Sequence, residues 1–187
     1  MAIKIDKLSF SYGDKKVFED YSLEINDSEI VVIMGPSGKG KTTLLKLIAG
    51  LLKPDSGSIE GNDKNIGMVF QEDRLVEELS AVANVRLAND ISKEKIEEYL
   101  TKVGLEEEMN KPVKELSGGQ KRRVALVRAI AGDRDIIIMD EPFTGLDTKL
   151  TDTIIDYICD IMNNKTLIIV THDEEDAKQL GGRIITL

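Results

Sequence analysis

The chain has a single cysteine, no tryptophan, one histidine and only four prolines among its 187 residues. One cysteine excludes an intramolecular disulfide and a cysteine-ligated metal cluster, and it suits a reducing cytoplasm. Cys159 itself reads as a small residue on a buried helix face. Long apolar runs are missing too. Stretches such as Ile30 to Met34 and Ile136 to Met139 fall far short of the ~20 residues a membrane-spanning helix needs. Nor does Met1 to Phe10, where apolar and charged residues alternate, carry an apolar signal core with a small-residue cleavage site, so export is not expected. Positive charge is in deficit, with 25 Lys+Arg against 34 Asp+Glu and a net charge of −9. Such a chain repels nucleic acid and anionic lipid in bulk, and any phosphate chemistry must come from a local site.

At about 150 residues per domain, the length predicts one compact unit. The composition, 41% hydrophobic and 32% charged, is that of a globular chain. Ile3, Ile5, Leu8 and Phe10 lie mostly on a period of two, and Gly13-Asp14 offers a turn before Val17-Phe18, which predicts a small antiparallel β region. The runs Ser58 to Glu60 and Ile66 to Phe70, on either side of the turn signal Gly61-Asn62-Asp63, are expected to complete it. Ile30 to Met34, Ile136 to Met139 and Leu167 to Val170 are continuous apolar runs of the kind found in strands buried on both faces. Helical spacing follows over Lys41 to Leu52, Ser117 to Ala131 and Asp147 to Met162, and Ile184 to Leu187 reads as a last strand. Between Glu72 and Glu115 the pattern turns helical, with Ile96, Leu100 and Val103 as one stripe and Gly104 at a helix end. The class is α/β: a parallel-sheet core with a small antiparallel β subdomain and a helical insertion. The expected organisation is one domain over 1–187, with the core and β region in 1–71 and 116–187 and a helical subdomain in 72–115.

Gly35-Pro36-Ser37-Gly38-Lys39-Gly40-Lys41-Thr42 fits G-x-x-x-x-G-K-[ST] between a buried strand and a helix, the context that gives the pattern meaning. Glycines let successive N–H groups face a phosphate while the helix adds the positive end of its dipole. Lys41 is expected to reach the β- and γ-phosphates of a nucleotide, and Thr42 to give its hydroxyl to Mg²⁺. The strand Ile136 to Met139 ends in Asp140-Glu141. At the carboxyl end of a strand in an open α/β sheet, Asp140 is placed to hold the metal and Glu141 to act as general base for an attacking water; alone, the pair would equally suit a strand turning polar at the surface. Gln71, just past the strand Ile66 to Phe70, can reach metal or water. His172 follows the strand Leu167 to Val170. A lone histidine is usually an ordinary surface or core residue, but a strand end also permits contact with the γ-phosphate or the water.

A second glycine motif, Leu116-Ser117-Gly118-Gly119-Gln120, opens a helix. By itself it is a helix cap. Two phosphate-binding ends in a chain that holds one nucleotide make sense if two chains meet head to tail, each closing the other's nucleotide. Nearby Lys121-Arg122-Arg123 is the best basic cluster and reads as a solvated or phosphate-proximal helix face.

These motifs, in this order and over essentially the whole length, resemble the ATP-binding cassette family, the ATPase subunits of ABC transporters, whose core is a RecA-like P-loop NTPase fold. Gly35 to Thr42 resembles the Walker A loop, Gln71 the Q-loop glutamine and Leu116 to Gln120 the signature motif. Ile136 to Glu141 is similar to Walker B with its catalytic glutamate, Gly145-Leu146-Asp147 to the D-loop, and His172 to the switch histidine. The resemblance implies that Thr43 joins the nucleotide-binding residues and that Tyr12 stacks on adenine; from its sequence position Tyr12 could equally be a core residue of the β region. It implies a dimer sandwiching two MgATP, with Ser117 and Gly119 contacting the γ-phosphate held by the other chain's Lys41 and Asp147 coupling the sites. It implies a groove on the helical insert that docks a membrane permease, placing the chain peripherally on the cytoplasmic face of the membrane, with a solute-binding protein engaged through the permease.

Phe70-Gln71-Glu72-Asp73-Arg74-Leu75 is similar to the Q-loop of nitrate, sulfonate, taurine and pyrimidine-type importers. Thr42 replaces the usual serine with its hydroxyl kept, and Thr144-Gly145 replaces a common Ser-Ala pair. The helical insert is short for the family, and with the chain stopping soon after His172 no C-terminal regulatory domain is expected. Alternatives within the family are a soluble ATPase acting on nucleic acid or ribosomes, whose members typically carry paired cassettes or long coiled-coil insertions where this sequence has one cassette and a short insert, and an exporter-type or lipoprotein-release ATPase. A nucleotide sensor without turnover is disfavoured, since a sensor has no use for a base at Glu141.

Overall fold

The computed structural model describes residues 2–162 and 164–187. Two long strands come first, β1 (Ile3–Tyr12) and β2 (Lys15–Ile25), joined by the turn Gly13-Asp14. Then come β3 (Ile30–Met34) and helix α1 (Lys41–Ile48), which stops at Gly50 in the left-handed region. Strands β4 (Ser56–Glu60) and β5 (Ile66–Val69) precede two helices, α2 (Ala81–Arg86) and α3 (Lys93–Lys102). After a 3-10 turn at Val113–Glu115 the chain forms α4 (Gly118–Ile130), β6 (Ile136–Asp140) and α5 (Thr148–Ile161). It closes with β7 (Thr166–Val170), α6 (Glu174–Leu180) and β8 (Arg183–Thr186).

Five strands form a sheet in the order β5-β6-β7-β3-β8, with every neighbouring pair parallel. A second sheet, β2-β1-β4, is antiparallel. The fold is therefore α/β with the parallel core and antiparallel addition that the sequence predicts, with one correction. Ile66 to Phe70 does not belong to the antiparallel part: β5 is the edge strand of the parallel sheet, paired with β6 from Ile66↔Ile136 to Val69↔Met139. Gly67 permits this pairing, because a Cβ there would lie 2.1 Å from the Ala129 carbonyl oxygen at the end of α4. The turn at Gly61-Asn62-Asp63 thus carries the chain between sheets and closes no hairpin. Helix α6 lies where the sequence pattern marks no helix; it is short and polar, begun by Asp173, whose carboxylate accepts from Glu175 N and Asp176 N.

Side chains alternate across the parallel sheet, and its two faces have separate cores. Val32, Val69, Ile137, Met139, Leu167 and Ile169 pack with α4, α5 and the stripe Ile96, Leu100 and Val103. Val31, Ile33, Ile136, Ile138, Ile168 and Val170 pack with α1 and with Ile3, Ile5 and Leu8 of β1. Burial on both faces is what their continuous β-branched runs require. Cys159 sits on α5, partly buried, and burial with Asp156 and Asp160 nearby pushes its thiol pKa up, away from reactivity. Among the described residues, no helix is long and apolar enough to cross a membrane.

Candidate active site

Parallel pairing brings four strand ends to one edge. Val170 lies opposite both Ile33 and Asp140, and Val69 lies opposite Met139. One or two residues beyond those ends stand Gly35, Gln71, Glu141 and His172, so positions more than a hundred apart in the chain converge. A cleft of about 590 Å³ opens there, lined by Ser37 through Thr43, Gln71, Asp140, Glu141 and, from the antiparallel sheet, Tyr12, Lys15, Lys16 and Val17.

Gly40 begins α1 with φ +93°, and a Cβ on it would lie 2.6 Å from Val17 Cγ1. Only glycine lets the loop turn into the helix this close to β2. Lys41 folds back over the loop, its Nζ donating to the carbonyls of Gly35 at 2.7 Å and Pro36 at 3.1 Å. Those two residues shape the loop from behind and do not line the cleft itself. Thr42 is half-buried, and Asp140 is 2% exposed at the end of β6.

Glu141 has φ +49°, a left-handed conformation costing a non-glycine residue about 1 kcal/mol or more. The surroundings impose it: Glu141 N donates to Val170 O at 2.9 Å, and the Glu141 carbonyl accepts from Arg122 Nη2 at 2.6 Å. Glu141 lines both this cleft and a second cavity of about 290 Å³ beside it, where its Oε2 lies 2.8 Å from Nδ1 of the exposed His172. Against a carboxylate the donor is Nδ1–H, and in the neutral imidazole Nε2 is then the acceptor. Beyond His172, burial and then the Asp173 carboxylate hold the Asp176 pKa above the ordinary carboxylate value.

Tyr12 is half exposed and meets Phe10 edge-on at 4.9 Å, so it is a rim residue and not part of the β core. Ser117 to Gln120 lie outside this cleft. They form a capping box, Ser117 N donating to Gln120 Oε1 at 2.8 Å and Gln120 N to Ser117 Oγ at 3.3 Å. Neither Gly118 nor Gly119 has positive φ, and a Cβ would meet nothing within 4 Å at Gly118 and only ordinary contacts at Gly119, with Leu146 Cδ2 and Gly145 O. Packing within the chain thus gives no reason for glycine there. Asp147 caps α5, its Oδ1 accepting from Leu150 N at 3.0 Å.

The basic triplet corrects the sequence reading. Lys121 pairs with Glu77 at 3.6 Å, but Arg123 donates to Val103 O and Gly104 O, each at 2.7 Å, at the end of α3. Arg122 is 4% exposed and faces inward among backbone carbonyls. It was the important residue missed, and the register of α4 held the signal: Arg122 shares a stripe with buried Ala125, Leu126 and Ala129.

Residues 18–144 match the family described as ABC transporter. The whole chain is 36% identical to the sulfate/thiosulfate import ATP-binding protein CysA of Synechocystis sp. and spans 58% of that protein's length. It is 38% identical to the taurine import ATP-binding protein TauB of Jannaschia sp., covering 94% of this chain and 71% of the relative. Among solved structures, the dimeric bacterial ABC transporter cassette MJ0796 superposes with a TM-score of 0.89 at 32% identity, covering 99% of this chain and 94% of the other. A post-hydrolysis dimer of the same protein, bound to ADP and Pi, matches at 0.88.

Proposed function

The chain belongs to the ABC transporter family, and from that premise we propose that it binds and hydrolyses ATP to power a separate membrane permease that imports a small solute. The observation that carries this reading is Glu141, whose carboxylate lies 2.8 Å from His172, on a cleft that the phosphate loop also lines. The N–H groups of that loop and the start of α1 receive the phosphates, and Lys41 turns from its loop carbonyls to their negative charge. Tyr12 offers its half-exposed ring to the adenine. Glu141 takes the proton of the attacking water, while His172, fixed through Nδ1, presents Nε2 to the γ-phosphate region.

The donor set fits Mg²⁺. One hydroxyl (Thr42), one buried carboxylate (Asp140) and one amide oxygen (Gln71) line the same cleft, and a magnesium site completed by substrate phosphates needs few protein ligands, all of them oxygen. When bound, the ion would neutralise charge on the β- and γ-phosphates.

Two glycines without an internal reason support a second copy as partner. Gly118 and Gly119 leave room for a closely approaching anion at the N-terminus of α4, and Ser117 of one chain would seal the nucleotide held by Lys41 of the other, with Asp147 alongside. Closure on ATP and opening after hydrolysis then become motion of the permease. A groove of about 450 Å³ between the edge strand and the insert, lined by residues including Phe70, Arg74, Leu87 and Arg128, is where we place the permease. This puts the chain on the cytoplasmic face of the membrane. The permease, and a solute-binding protein acting through it, would choose the solute, and the Phe70 to Leu75 segment inclines the choice to a nitrate-, sulfonate- or taurine-type system. Internal use of Arg122 and Arg123 removes most of the basic face that a nucleic-acid role would need.

Two experiments test this. Ser117→Arg should leave ATP binding to the monomer unchanged and abolish the ATP-dependent dimer in size-exclusion chromatography; a normal dimer would refute closure in trans. Affinity purification of the chain from detergent-solubilised membranes should bring down an integral membrane protein, and repeated recovery of the chain alone would count against the permease.

A further inference from the structure

We propose that Arg122 is a positioning residue for hydrolysis: one buried guanidinium that fixes the Q-loop glutamine and the base at Glu141 relative to each other. The proposal rests on the ATPase function above. Arg122 projects from the first turns of α4 and directs all five N–H groups at oxygen atoms. Nε donates to Pro142 O at 2.9 Å, and Nη2 to Asp140 O at 2.9 Å and Glu141 O at 2.6 Å. Nη1 faces the other segment, donating to Phe70 O at 2.6 Å and Asp73 Oδ1 at 3.0 Å, with a longer contact to Gln71 O at 3.5 Å.

One edge of the fork therefore holds the exit of β6, and the other holds the exit of β5. The side chains leaving those exits, Glu141 and Gln71, line the same cleft. Arg122 itself does not line it, so its effect on chemistry passes through these two residues. Glu141 also needs such a clamp, because its left-handed backbone would relax without contacts that over-determine it. A rigid planar fork suits the task. A lysine carries its donors on one nitrogen and cannot span both segments, although it would preserve the charge. Since Arg122 lies on the helix capped by Ser117, the same bonds tie the start of α4 to the backbone that carries the Glu141 carboxylate.

The test is steady-state MgATP hydrolysis by the full chain and by Arg122→Ala, Arg122→Gln and Arg122→Lys, with thermal melting to confirm folding. Small misplacements of reacting groups cost on the order of a hundredfold. The expected kcat losses are about a hundredfold for Ala and Gln and about tenfold for Lys, with KM for ATP within about threefold of the parent because the phosphate loop is untouched. A role in stability alone would lower the melting temperature and leave kcat per folded molecule unchanged. If Arg122→Ala does not fold, the Lys and Gln variants decide. Any folded variant with kcat within twofold of an active parent overturns this inference and leaves the proposed function standing. A parent without ATPase activity overturns both.

Discussion

Glu141→Gln is expected to reduce ATP turnover about a thousandfold while changing ATP affinity by less than about threefold. General base catalysis contributes roughly 10²–10⁴, and the amide keeps the size of the side chain and an oxygen that can accept from His172 while losing the basicity. The backbone at φ +49° is held by Val170 and Arg122, contacts the substitution does not touch. Binding and closure should therefore survive, and the variant should accumulate as an ATP-loaded dimer, read by size-exclusion chromatography and by nucleotide retained after gel filtration. Turnover at the parental rate would show that Glu141 is not the base.

Lys41→Ala should act earlier, on affinity. Among the described residues the ammonium makes two hydrogen bonds, both to carbonyls of its own loop, so the fold should tolerate its loss. Hydrogen bonds to charged groups are worth about 1.5–3 kcal/mol each. Losing two from the β- and γ-phosphates should cost about 4 kcal/mol, roughly a thousandfold in Kd. Calorimetric titration with MgATP measures this directly, and an unchanged Kd would refute the phosphate-loop assignment. The two variants separate the steps: one should bind without turning over, the other should fail to bind.

The residues that make this site were legible because most of them stand where a contiguous apolar run stops. Ile30 to Met34, Ile136 to Met139 and Leu167 to Val170 read as strands buried on both faces from their β-branched residues and short length, and parallel strands put their carboxyl ends together. Ile66 to Val69 was harder, since four residues interrupted by Gly67 have too little periodicity to tell a parallel edge from half of a hairpin. Whether two strands pair depends on contacts far apart in sequence, here with Ile136 to Met139. The basic triplet misled for a related reason: a count of adjacent charges ignores that each successive residue on a helix turns by about 100°. Lys121 and Arg122 consequently face different surroundings, one an exposed glutamate and the other a nest of carbonyls. The Glu141–His172 contact joins residues 31 apart and needed the pairing of β6 with β7.

The placement of Gln71, Glu141 and His172 within two residues of a strand end limits which changes of chain length this protein can absorb. At that edge a one-residue insertion would swing a side chain away from its partner, and nothing downstream could restore the spacing. The opposite edge carries no such restriction. Asn62-Asp63, exposed in the turn before β5, is the natural place to splice a reporter or an affinity handle, because slack introduced there does not reach the strand ends that carry Gln71, Glu141 and His172.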